Sequence, residues 1–281
     1  MADENIFSRN TWLTLQEREA LKNKKVMTIG CGGVGWIINL MLYGTGIGEI
    51  CAVDSDVIET VNLNRLIGIE KREVGVAKVD ALSKRADCIK GVKTLFPDKR
   101  SLEIMAGADL IIGAVDNVKS RMAIQNFVLN LNKNYIDIGV GFKICSKSRK
   151  VREAWGQVIV VKEGWPCLVE HGFEPDSDER GYTCGQSFEG LAELLNASSV
   201  TINSILSALG AEIALKVLLA KELTFNRIDY DHLKFTIDTE FVQKDENCVF
   251  CQKRRREDGD KKAWRLGKND WNGRQFPHHP N

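Results

Sequence analysis

The run Lys25 to Ile29 (KVMTI) is apolar at three of its five positions and leads into Gly30-Cys31-Gly32-Gly33-Val34-Gly35. A helix is predicted to follow through about Tyr43. Gly44-Thr45-Gly46 stops it, glycine being the residue that accepts the left-handed conformation at a helix end. A second apolar run, Glu49 to Val53, closes on Asp54. The alternation continues with a predicted helix near Ala77 to Ile89, a strand at Asp109 to Val115, a helix from Asn117 to Asn132 and a strand at Tyr135 to Val140. Short apolar runs separated by helix-length segments are what a parallel sheet covered on both faces requires. The expected class is α/β, Rossmann-like and doubly wound, with a mainly parallel sheet.

The pattern changes after Gly141. Ala154 to Val161 (AWGQVIVV) predicts an antiparallel continuation of the sheet, followed by short strands around Arg227 to Tyr230 and Lys234 to Phe241. Between them, about 162–198 is rich in Gly, Pro, Asp and Glu and predicts a long crossover loop, a feature that is usually functional. The apolar stretch Val200 to Ala220 contains Asn203, Glu212 and Lys216, which suits a core helix better than a membrane span. The chain divides into an N-terminal helical arm (1–24), a main domain (25–252) and a tail (253–281).

Charge bears mainly on that tail. It carries nine Lys/Arg against four Asp/Glu, leaving thirty against thirty-four, a net −4, for the rest of the chain. A basic segment with scattered Gly and Pro is expected to be disordered. The acidic start, Met1-Ala2-Asp3-Glu4-Asn5, leads into no apolar signal segment, so a cytoplasmic setting is expected. Thiols stay reduced there, and eight cysteines then point to metal binding or catalysis rather than disulfides.

A glycine-rich turn between a strand and a helix turns backbone N–H groups and the positive helix end toward phosphate. Gly30, Gly32, Gly33 and Gly35 fit that task, and Asp54, ending the next strand, is placed to hold a ribose hydroxyl. Alone these residues indicate a nucleotide, a dinucleotide included, or a packing turn without ligand.

The ordered set that follows narrows the reading. Phe7-Ser8-Arg9, the glycine turn, Asp54-Ser55-Asp56-Val57-Ile58-Glu59-Thr60-Val61-Asn62-Leu63-Asn64-Arg65, Gly75-Val76-Ala77-Lys78 and Ala114-Val115-Asp116-Asn117 with Arg121 resemble the ThiF/MoeB superfamily of adenylating enzymes, which includes the ubiquitin-activating enzymes. The resemblance spans about Phe7 to Cys251. It implies ATP-dependent adenylation of the C-terminal carboxylate of a small ubiquitin-like or sulfur-carrier protein with an exposed C-terminal glycine. By resemblance, Arg65 and Lys78 contact the phosphates, Asn62 helps position them, and Asp116, followed by Asn117, holds Mg²⁺. Asp54 binds ribose with Asp56 as a weaker candidate, and Arg9 reaches the ATP of a second copy in a homodimer. Such chemistry crowds negative groups together, and arginine neutralises them with a fixed, permanently charged fork.

Family members also pair a late CxxC with an earlier one around structural zinc. Cys248-Val249-Phe250-Cys251 supplies the late pair, but the earlier position reads Cys167-Leu168-Val169-Glu170-His171. Glu170 replaces the second thiol, and His171 is the preferred fourth ligand for Zn²⁺. Cys184, in the crossover loop with Arg180 nearby, is the candidate for carrying the activated carboxylate onward to an acceptor protein, ahead of Cys145. Phe142, Lys143, Val200 and Asn203 are expected to line the groove for the carrier's tail. The alternatives are adenylation of a small molecule or of a tRNA nucleoside by the same fold, an NAD(P)-dependent oxidoreductase, and a non-catalytic binding subunit. Neither a membrane nor, despite the basic tail, tRNA is the expected partner.

Overall fold

The structure, a computed structural model, describes residues 6–145, 148–175 and 197–252. The chain divides into two compact units, Met1–Lys244 and Asp245–Asn281. The first is built on an eight-stranded sheet of order β3-β2-β1-β4-β5-β6-β7-β8. Its strands are β1 (Lys25–Ile29), β2 (Glu49–Asp54), β3 (Ile89–Lys93), β4 (Leu110–Gly113), β5 (Asn134–Ile144), β6 (Val151–Val161), β7 (Arg227–Asp231) and β8 (Thr236–Glu240). The first five strands in the sheet run parallel. From β5 onward each neighbour is antiparallel, so the mainly parallel sheet has the antiparallel continuation expected of it.

The helices are α1 (Leu15–Lys22), α2 (Gly33–Thr45), α3 (Lys78–Ser83), α4 (Lys99–Gly107), α5 (Val118–Asn130) and α6 (Val200–Leu218). Side-chain alternation along β5 assigns two of them to opposite faces. Tyr135 and Asp137 meet Arg121 of α5, whereas a Cβ on Gly210 of α6 would lie 2.4 Å from Ile138. Alternate strand residues point to opposite faces, so α5 and α6 flank the sheet from either side. The α6 helix is long and apolar enough to cross a membrane by length and composition. Here it serves the core: Ile202, Leu206, Ile213 and Leu215 are buried in one cluster with Ile38 and Leu42 of α2 and Ile136 and Ile138 of β5.

Several elements depart from the sequence reading. The arm is helical only over Leu15–Lys22, where Thr14 and Glu17 form a reciprocal capping box that stabilises by about 1 kcal/mol. The helix expected through Ile89 stops at Ser83, and Ile89–Lys93 forms strand β3. Lys90 and Lys93 are exposed there while Ile89 and Val92 are buried, a spacing of three that puts the two buried residues on opposite faces of the strand. Helix α4, which follows, is capped by Asp98 on the Ser101 N–H at 2.8 Å. Finally, β5 extends four residues beyond Val140 to pair with β6 in a long hairpin.

Candidate functional site

Strand order reverses at β1, whose neighbours β2 and β4 lead the chain in opposite directions. Ligands of open α/β sheets bind in the crevice at the carboxyl ends of the strands beside such a point. The glycine turn leaves β1 there, and the Asp116 loop leaves β4 beside it.

The turn is shaped by close approach. Gly30 has φ +91°, and a Cβ on it would lie 2.6 Å from the Ala114 carbonyl oxygen. A Cβ on Gly35 would lie 1.8 Å from the Gly30 oxygen, so α2 can leave the strand this tightly only with glycine at that position. Gly32 caps α2 with no side-chain hydrogen bond, and a Cβ there would meet nothing within 4 Å. With no side chain capping it, the first turn of α2 keeps backbone N–H groups that suit an anion. Gly35→Ala should cost about 3 kcal/mol or more because both clashing partners are backbone, whereas Gly32→Ala should cost under about 1 kcal/mol. Urea unfolding of the two variants checks the contrast.

Three groups of polar residues converge on this turn. Asp54, at the end of β2, accepts from the Cys31 N–H at 2.6 Å and from the Asp56 N–H at 2.8 Å. Asp56 accepts from Lys78 Nζ at 2.7 Å. A two-residue antiparallel bridge sets that pair: the Lys78 N–H donates to the Asp56 carbonyl and the Ile58 N–H to the Val76 carbonyl. Lys78 is buried and Asp56 exposed, so the lysine side chain is held toward the Asp56 carboxylate, next to the Asp54 that accepts from the turn's Cys31 N–H. Burial, with the Asp54 charge adding to it, pushes the Cys31 thiol well above its ordinary pKa, which keeps it a neutral packing group.

Arg65 comes from the next loop. The buried Asn62 closes a turn by accepting from the Glu59 N–H at 3.0 Å, and its carbonyl accepts from the Arg65 N–H at 3.0 Å. The Arg65 side chain then passes over Gly33, whose added Cβ would lie 3.3 Å from Arg65 Cδ and 2.1 Å from Asn203 Nδ2. Asn203 of α6, expected in the carrier groove, therefore stands at the glycine turn itself. Arg65 Nη1 rests on the Val61 carbonyl at 2.8 Å and on Asn64 at 3.2 Å.

The third group follows β4. Among the described residues, the exposed Asp116 accepts only from Asn117 Nδ2, at 3.1 Å. Asn117 caps α5 by accepting from the Ser120 N–H at 2.8 Å. One turn into α5, the buried Arg121 donates to the Val115 carbonyl at 2.6 Å, to the Ile138 carbonyl at 3.2 Å and to the Asp137 carboxylate. Tyr135 Oη donates to the other Asp137 oxygen at 2.6 Å. This buried triad on β5 fixes the residue next to Asp116. Sequence reasoning had Arg121 only as part of a motif and missed Tyr135 and Asp137, whose signal was two polar residues inside an otherwise apolar strand.

Other expected site residues are placed as follows. Arg9 is exposed in the turns before α1. Phe142 packs against the core cluster, whereas Lys143 pairs with Glu153 at 2.7 Å beside Trp155. Neighbouring strand residues face opposite ways, so the two cannot line one groove together. Cys184 and Arg180 lie outside the described residues.

The expected metal ligands divide between the two units. In the first, the Cys167 N–H donates to Glu170 Oε2 at 2.7 Å, and Cys167 Sγ lies within 4.8 Å of a Glu170 carboxylate oxygen. The turn is anchored to α5, whose buried Gln125 accepts from the Leu168 N–H. In the second, the thiols of Cys248 and Cys251 lie within 4.8 Å of each other. The choice of His171 as fourth ligand is corrected: a tight turn returns its fourth residue, Glu170, to Cys167 and carries its fifth away. The His171 ring is buried with no hydrogen-bond partner on either nitrogen among the described residues. Burial, aided by the Arg227 charge, pushes its pKa down to about 4 and keeps it neutral.

Comparison with known proteins places this geometry. The adenylyltransferase and sulfurtransferase MOCS3 of Dictyostelium discoideum is 33% identical over 113 residues, which cover 38% of this chain and 27% of that protein. The ubiquitin-like modifier-activating enzyme 5 of Drosophila grimshawi is 26% identical over an alignment covering 90% of this chain and 67% of that protein. Among solved structures, Escherichia coli MccB superposes with a TM-score of 0.68 at 22% identity, covering 89% of this chain and 73% of that one. The chain spans less than half the length of the curated relatives it first matches, from 27% to 41%. Residues 7–251 match the ThiF family, and the chain belongs to it.

Proposed function

We propose that the protein uses ATP to adenylate the C-terminal carboxylate of a small ubiquitin-like or sulfur-carrier protein. The observation that carries this reading is the convergence of Arg65, the Lys78–Asp56 pair and the Asp116 loop on one uncapped glycine turn. Two cations and a row of backbone donors suit a triphosphate, and an exposed carboxylate beside them suits the hard cation that travels with it. The curated relatives named adenylyltransferases agree with it, as do those named ubiquitin-like modifier-activating enzymes.

The α2 N-terminus takes the phosphates, with Arg65 and Lys78 neutralising charge that develops on them. Asp54 keeps lone pairs for the ribose hydroxyls, and Asp56 serves to orient Lys78. Mg²⁺ at Asp116 supplies Lewis-acid charge stabilisation when bound, while Asn117 steadies the carboxylate and caps α5. The carrier's carboxylate oxygen attacks the α-phosphorus and the bond to pyrophosphate breaks, leaving an acyl-adenylate. Cys184 then accepts the acyl group as its thiolate displaces AMP, ready for a downstream acceptor. Arg9 acts on the ATP of a second copy in a homodimer, in a cytoplasmic setting.

Zinc is proposed on donor chemistry alone. The thiolates of Cys248 and Cys251 are ligands that zinc accepts.

The test is exchange of labelled pyrophosphate into ATP, driven by a ubiquitin-like carrier ending in Gly-Gly. Exchange that is lost when the terminal glycine is deleted is the expected result. NAD(P)H turnover without exchange would overturn the reading. Cys184→Ala should leave exchange intact and abolish the thiol-labile adduct between carrier and enzyme on a non-reducing gel. An adduct of unchanged yield in that variant removes Cys184 from the mechanism.

A further inference from the structure

The segment that carries Arg65 is exposed on its outer side: Val61 and Ile67 are 66% and 51% accessible. A loop with little apolar burial has little to hold it, and a cation on it would sweep a wide volume. Two side chains from elsewhere hold it on its inner side.

The first is Trp36, on the same helix that opens with the glycine turn, one helical step from Gly33. Its ring is fully buried, and its indole Nε1 donates to the Ile67 carbonyl at 2.9 Å. The second is Arg85, just beyond α3, which lies over that ring at 5.4 Å from the centroid. It donates to the Gly68 carbonyl at 3.2 Å, to the Ala81 carbonyl at 2.6 Å and to Glu73 at 2.8 Å. Gly68, at φ +80°, has the left-handed conformation favoured by glycine. On the N-terminal side, the Asn62 carbonyl accepts from both the Arg65 and the Leu66 N–H groups at 3.0 Å, and Leu66 is buried. Arg65 is therefore gripped two residues on its C-terminal side by the helix whose N-terminus it faces.

We propose that Trp36 and Arg85 are positioning residues that lock the Arg65 loop to the phosphate-cradling helix, so that the guanidinium is set in place before nucleotide arrives. The proposal rests on Arg65 acting on the nucleotide, as above. Its physical logic is preorganisation: a cation already held in place does not lose loop freedom when the nucleotide binds. The Trp36 part of the clamp is a single indole N–H, so it can be cut by a change of one aromatic ring for another. Phenylalanine keeps an aromatic ring at position 36 and lacks only the donor and part of the ring.

The test needs no carrier protein. Titration calorimetry with Mg·ATP is run on the wild type, Trp36→Phe, Arg65→Ala and the double variant, each first shown to be folded by its melting temperature. Trp36→Phe should weaken binding about tenfold, the scale on which small misplacements are felt. In the Arg65→Ala background the same change should have no further effect, because the clamp acts only through that arginine. Arg85→Gln should behave as Trp36→Phe does. Equal weakening in both backgrounds, or unchanged affinity in Trp36→Phe while Arg65→Ala is impaired, overturns the clamp and leaves the proposed activity standing. Unchanged affinity in Arg65→Ala overturns the phosphate-binding assignment itself, and the clamp with it.

Discussion

Asp116→Ala should lower carrier-dependent pyrophosphate exchange by at least about a hundredfold, the scale on which loss of one charge-stabilising group is felt, while leaving the protein folded. The two halves of that expectation come from one fact. Asp116 is exposed, and among the described residues its only hydrogen bond comes from its neighbour Asn117. Asn117 keeps its own cap on Ser120 whether or not the carboxylate is present. Removing such a side chain alters stability by no more than about 0.5 kcal/mol, roughly 1–2 °C of melting temperature at this size. The same exposure leaves the carboxylate free to meet a cation at the mouth of the crevice. Asp116→Asn refines the test, since it keeps shape and removes charge, and it should be impaired nearly as much. Full exchange in either variant would remove Asp116 from the chemistry.

The parts of this site that were legible in the sequence are those whose reason is local. Apolar runs too short for helices, broken by glycine and closed by Asp54, give away a buried parallel strand and its turn. The same local logic fails at β3, where the buried residues Ile89 and Val92 stand three apart, a spacing that reads as the end of a helix rather than as a strand. It fails again at the fourth metal ligand. Whether Glu170 or His171 accompanies Cys167 depends on how tightly the turn closes, and that is set partly by Gln125, forty-three residues away along the chain from Leu168. The Trp36–Ile67 and Arg121–Val115 contacts are likewise invisible to periodicity. Each joins a side chain to a backbone carbonyl in a different element, and a carbonyl carries no sequence signature. Motif residues can thus be read from order and type, but the groups that aim them emerge only with the fold.

Asp137→Ala carries the largest expected loss of stability. Its carboxylate is fully buried, and among the described residues it is the only charged partner of Arg121. Deleting it strands a guanidinium in the interior, at a cost of about 3–5 kcal/mol. For a chain of this size that lowers the melting temperature by roughly 10 °C or more. Tyr135→Phe removes one donor from the same carboxylate and should cost less, about 1.5–3 kcal/mol. The instructive variant is the double exchange of Arg121→Met with Asp137→Leu. Apolar side chains of similar size replace both charges, so most of the loss should be recovered, leaving about 1–3 kcal/mol for the Tyr135 hydroxyl that no longer has its acceptor. Activity should not return with it, because the Val115 carbonyl next to Asp116 loses the donor that fixes it, and a loop misplaced by about 1 Å can slow chemistry a hundredfold. Melting temperature and pyrophosphate exchange measured on the same preparation separate the two effects. A double variant that is both stable and fully active would show that the buried pair holds the sheet together without aiming the loop.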